Sequence, residues 1–174
     1  RDYWQAKRCE PEIHLLDWRD VLERGGHLRE EDLPSQPAVL RIETPGANFQ
    51  LIRKLIAAGC QVCRVKDVWS SLPHRQGRLV RPGLAYAGFC QVLDGLRTSL
   101  DRRKHIHPLS CPAAIDEIFD KNRVVRLLTG HDIPCSPTWT APQTAGELLD
   151  QLRERSCQTA YLKLASGSSA TGIA

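Results

Sequence analysis

Between Ala38 and Val65 the chain reads as strand, turn, helix and strand in direct succession, and this segment limits the choice of fold more than any other. Ala38-Val-Leu-Arg-Ile42 is a short β-branched run that ends at the turn Glu43-Thr-Pro-Gly46. Asn48 is a helix cap, and Phe49, Ile52, Leu55 and Ile56 follow at helical spacing up to Gly59. Cys60-Gln-Val-Cys-Arg-Val65 then reads as a second strand. Two strands joined through a helix must run parallel, so the expected class is α/β.

The flanking segments extend this pattern. Glu12 to Trp18 reads as a strand, and Asp20 to Gly25 as a helical turn. The proline-bearing stretches 26–37 and 70–82 read as loops. Residues 83–100 read as a helix with Phe89, Val92, Leu93 and Leu96 on one face. The two prolines between 108 and 113 suggest a linker. Beyond it, Ile115, Ile118, Phe119, Val125, Leu127 and Leu128 support a helix that stops at Gly130. Ile133 to Trp139 contains Pro134 and Pro137 and must be extended. Thr144 and Glu147 have the spacing of a capping box, with Leu148, Leu149 and Leu152 as the apolar face of the helix they open. Thr159 to Leu164 reads as a strand that carries Lys163 into the small, hydroxyl-rich segment Ser166-Gly-Ser-Ser-Ala-Thr-Gly172.

That segment is the chemical focus of the chain. Backbone N–H groups, hydroxyls and a neighbouring cation are the donors a polyphosphate needs. It is not a P-loop, because no Gly-Lys-Ser/Thr follows, and the spacing of a dinucleotide fingerprint is absent.

Three pieces in order resemble the first half of an ATP-grasp domain. Phe119-Asp-Lys-Asn122 opens a helix, Leu127-Leu-Thr-Gly-His-Asp-Ile-Pro134 ends it, and Leu162-Lys-Leu-Ala-Ser-Gly-Ser-Ser-Ala-Thr-Gly172 closes the segment. The resemblance implies a Rossmann-like α/β domain over residues 1–110 and the lid portion of an ATP-grasp domain over 111–174. It implies ATP as ligand, with Lys121 and Lys163 as the two phosphate-binding lysines. Gly167, Ser168, Ser169, Thr171 and Gly172 would be the glycine-rich lid. Mg²⁺ would accompany the nucleotide, on ligands that this family carries further along the chain. The implied reaction is ligation of a small-molecule carboxylate to an amine or similar nucleophile through an acyl phosphate. Leu164 and Ala165 depart from the family pattern, which often has proline and a polar residue there. The alternative is a non-catalytic α/β module that binds a ligand or another protein.

Composition sets bounds on partners. Net charge is +4, and residues 111–174 hold six basic and seven acidic side chains, so the excess lies in the first 110. Such an excess is too mild to argue for nucleic acid, and Arg102-Arg-Lys-His105 reads as a solvated connection. No run approaches the roughly 18 apolar residues of a membrane span, and the start lacks a signal-peptide core, so a cytoplasmic chain is expected. Seven cysteines, an odd number, are expected to be reduced thiols. The spacing of Cys60, Cys63, His105, His107 and Cys111 is not that of a standard zinc finger. The four tryptophans share no spacing and read as packing residues. Methionine is absent throughout, Arg1 included, which suggests a piece of a longer protein.

Overall fold

The structure, a computed structural model, describes residues 12–46, 48–73 and 79–167. In order these form α1 (Trp18–Glu23), a 3-10 turn (Glu30–Asp32), β1 (Ala38–Leu40), α2 (Phe49–Val62), α3 (Pro82–Asp101), β2 (Ile106–Pro108), α4 (Pro112–Phe119), α5 (Lys121–Gly130) and α6 (Ala145–Glu154). The class is α/β but the protein is mostly helical. Its one sheet among the described residues is a parallel pair, β1 with β2, in which Ala38 faces Ile106 and Leu40 faces Pro108.

Asn48 caps α2 as its sequence context predicts: its side-chain oxygen accepts from the N–H groups of Gln50 and Leu51 at 2.9 and 3.3 Å. The expected strand at 60–65 does not form. The helix runs through Gly59 to Val62, and Cys60 joins Leu51, Leu55 and Ile56 on its buried face. Gly59 is there for contact with α3 rather than as a stop. A β-carbon on it would meet the Leu84 carbonyl oxygen at 1.9 Å, and one on Gly88 would meet that of Leu55 at 2.1 Å. The parallel partner of β1 is therefore β2, reached through both long helices.

Residues 12–17 are likewise not a strand. Asp17 caps α1 by accepting the Arg19 N–H at 2.7 Å. The stretch read as a linker is structured too: Pro108 ends β2, and a buried Pro112 opens α4.

The core consists of Val21, Leu28, Leu55, Phe89, Val92, Leu93, Leu96, Leu100 and Ile106, so the face expected for α3 is buried in full. Ile115 and Phe119 of α4 pack against it. Phe89 is the hub, with its ring 6.0 Å from that of Trp18 and 5.1 Å from that of Phe119. Beyond α4 the burial ends: none of the described residues from 113 to 167 is buried. No helix among the described residues is long and apolar enough to cross a membrane.

One carboxylate is fully engaged at the edge of this core. Burial of Asp32 (side chain 7% exposed) opposes its charge, but Arg29, through both side chain and backbone N–H, and Arg24 outweigh this and hold its pKa at about 2. A carboxyl lowered by folding stabilises the native state above its unfolded pKa, and that contribution is lost as pH falls through the folded value. The urea midpoint is therefore expected to drop between pH 4 and pH 2, and to drop less in Asp32→Asn. An equal drop in both proteins would contradict this role.

Candidate functional site

The site is built at the junction of α4 and α5. The apolar spacing alone predicts one helix across residues 114–130, whereas the structure divides it at Asp120, which is extended (φ −85°, ψ 98°). The break follows from the chemistry of an aspartate at a helix start. Its carboxylate accepts the Arg123 N–H at 3.0 Å and so caps α5 in place of continuing α4. The extended residue also exposes a short backbone edge, and the segment after Lys163 pairs with it. Asp120 and Ser166 form an antiparallel bridge. The Lys121 N–H donates to the Ala165 carbonyl at 2.9 Å, and the Gly167 N–H to the Phe119 carbonyl at 3.2 Å.

The pairing brings together residues far apart in sequence. The Lys121 ammonium donates to the Gly167 carbonyl at 2.9 Å across 46 positions of chain. Lys121 is half-buried and Lys163 exposed. Burial lowers the pKa of the Lys121 ammonium, and the charge of Lys163 lowers it further. Gly167 adopts φ +121°, a conformation open in practice only to glycine. Of the residues expected in the lid, Ser168, Ser169, Thr171 and Gly172 lie outside the described residues.

The strand expected at 159–164 has no ladder. Residues 159–164 carry no regular secondary structure, and the bridge at Ser166 lies just beyond them. The helix before it forms as expected. Thr144 accepts the Glu147 N–H at 3.1 Å, while Glu147 reaches back to the Gln143 N–H at 2.6 Å rather than to that of Thr144.

Apart from the two lysines, an open cavity of about 360 Å³ lies between α5 and the segment 132–138. Val125, Thr129, Ile133 and Pro134 line it, and Asp132 is its one charged residue. Neither lysine lines it.

Sequence reading missed a cluster between α3 and α4. The Tyr86 hydroxyl and the Cys90 thiol both donate to Asp116 Oδ1, at 2.8 and 3.0 Å. Burial, then the Asp116 carboxylate, raises Tyr86 and pushes Cys90 up to about 12. A thiol protonated at neutral pH is a poor nucleophile, so this cluster fastens two helices rather than performing chemistry. The spacing of Tyr86 and Cys90, one helical turn, is the only trace it leaves in the sequence.

The remaining candidates are dispersed. Cys60 is buried in α2, while Cys63 is exposed at its end. Arg41 and Glu43, beyond β1, pair with each other. Arg103, from the basic connection, turns inward to the Ser99 and Leu28 carbonyls and to Glu30. Trp18 is in the core region, and Trp69 and Trp139 lie under Arg81 and Arg155 at 4.4 and 4.9 Å. Among the described residues no three His, Cys, Asp or Glu side chains group as a metal site. No protein family matches this chain, and no curated protein or solved structure matches it either.

Proposed function

We propose that the junction of α4 and α5 is the phosphate-binding part of an ATP site, in a protein that ligates a carboxylate to an amine or similar nucleophile. The supporting observation is the hydrogen bond from Lys121 Nζ to the Gly167 carbonyl, which brings this lysine to the start of the hydroxyl-rich segment that follows Lys163 in sequence. In this reading the ATP-grasp likeness of residues 111–174 supplies the reaction class, and the Rossmann-like reading of residues 1–110 supplies the substrate domain. Lys121 and Lys163 offset the charge of the triphosphate. Ser168, Ser169 and Thr171 add hydroxyl donors, and Gly167 and Gly172 let the backbone approach closely. Mg²⁺ bound with the nucleotide would neutralise phosphate charge; among the described residues no three His, Cys, Asp or Glu side chains cluster to hold it. Once ATP has phosphorylated the carboxylate, the nucleophile attacks the acyl carbon and phosphate departs. The work of this part of the chain is to hold and orient the triphosphate.

The test is calorimetry of ATP with Mg²⁺ on the full-length protein, wild type beside Lys163→Ala. Loss of a charge-assisted contact is expected to cost about 1.5–3 kcal/mol of binding, roughly a ten- to hundredfold loss of affinity. Equal affinities in the two proteins would remove Lys163 from the site. Binding without turnover on any carboxylate and amine would favour a non-catalytic module.

A further inference from the structure

The root of the loop is held by three hydrogen bonds, two of them through Lys121. Its N–H goes to the Ala165 carbonyl and its ammonium to the Gly167 carbonyl, both at 2.9 Å, while the Gly167 N–H returns to the Phe119 carbonyl at 3.2 Å. An ammonium carries three protons and accepts nothing. One goes to Gly167, and among the described residues no further acceptor holds the other two. The charge of Lys163 disfavours the Lys121 ammonium, and the Gly167 carbonyl anchors it. An anion at this ammonium offsets the repulsion and leaves the anchor in place.

Resting on the polyphosphate reading above, we propose that Lys121 is a positioning residue for the backbone at Gly167. It holds the Gly167 carbonyl with one proton and a phosphate oxygen with another, so a bound polyphosphate fixes the backbone at this residue. Lys163 contributes charge to the same anion but no bond to the loop root. The two lysines therefore have different roles at one site.

The distinction is measurable as amide hydrogen exchange at Gly167 in the full-length protein, with and without sodium tripolyphosphate, and with occupancy matched by calorimetry. In the wild type, saturating tripolyphosphate is expected to slow exchange at Gly167 about tenfold, the scale of one charged hydrogen bond. In Lys121→Met, exchange without ligand is expected to be about tenfold faster, with no slowing at matched occupancy. In Lys163→Met, affinity falls but the slowing at saturation persists. Wild-type rates in ligand-free Lys121→Met, or equal slowing in that variant, would overturn the proposal. Should Lys121→Met fail to fold by circular dichroism, the wild-type and Lys163→Met arms still decide. Tripolyphosphate binding without slowing at Gly167 overturns the positioning role alone, whereas no binding at all overturns the polyphosphate reading with it.

Discussion

Alanine at Gly88 is expected to cost about 3 kcal/mol of stability, read as a lower urea midpoint with an unchanged slope. Its β-carbon would lie 2.1 Å from the Leu55 carbonyl oxygen and 2.9 Å from the Gly59 nitrogen. Both are backbone atoms of α2, so no side chain can swing aside, and the helices must separate along a shared apolar face. That face carries Leu55, Ile56, Phe89 and Val92, the last 1% exposed, so separation loosens the centre of the core. Gly59→Ala is expected to behave alike, because its β-carbon would meet the Leu84 carbonyl at 1.9 Å. The double variant should cost less than the sum of the two, since one separation accommodates both methyl groups. Alanine at Gly83, with nothing within 4 Å of its added carbon, is the matched control and should be nearly neutral or slightly stabilising. A Gly88→Ala protein as stable as the wild type would show that the close crossing of α2 and α3 is not maintained in solution.

Phe89→Ala is expected to cost about 3–5 kcal/mol and to weaken polyphosphate binding as well. The ring is 4% exposed and joins Trp18, at the start of α1, to Phe119, the last residue of α4. The Phe119 carbonyl in turn accepts the Gly167 N–H, and Asp120 and Lys121 follow directly. Deleting the ring removes core volume and also the side-chain support of the junction that holds Lys121. Chemical denaturation measures the first effect. Calorimetry with tripolyphosphate, well below the unfolding transition, measures the second. A fully folded Phe89→Ala protein with wild-type affinity would show that the junction is held independently of this core.

The helices with a strong apolar period were legible in the sequence: Asn48 as a cap, and Phe89, Val92, Leu93 and Leu96 as one face. The expected strand at 60–65 was not, because Cys60-Gln-Val-Cys-Arg-Val65 is a short, largely apolar run of the kind a strand shows, while Cys60 also continues the buried face of α2. Tertiary contact decided between them, since Gly59 lets α3 approach and β1 finds its partner in Ile106–Pro108. Gly59 illustrates the ambiguity well, as a glycine can end a helix or admit a neighbour to it, and local sequence does not separate the two. The break at Asp120 was visible in the Asp-Lys pair but not in the apolar spacing, which continues across it. That the Lys121 ammonium reaches the Gly167 carbonyl follows from no local pattern. It depends on a bridge between Asp120 and Ser166, and only the family likeness suggested grouping Lys121 with Lys163. Tyr86 and Asp116 lie on different helices, so their contact could not be read at all.

The parallel pairing of β1 with β2 also bears on how the chain reaches its fold. Ala38 and Ile106 meet only after everything between them has been brought back upon itself, and closing a loop of that length costs about 3–4 kcal/mol of chain entropy before any ladder bond compensates. Three residues per strand cannot meet that cost alone. The two long helices are therefore expected to associate first and carry the strand ends together, with the sheet forming late over a helical nucleus. Mutations at the crossing of α2 and α3 would then slow folding, whereas mutations within the strands would chiefly hasten unfolding.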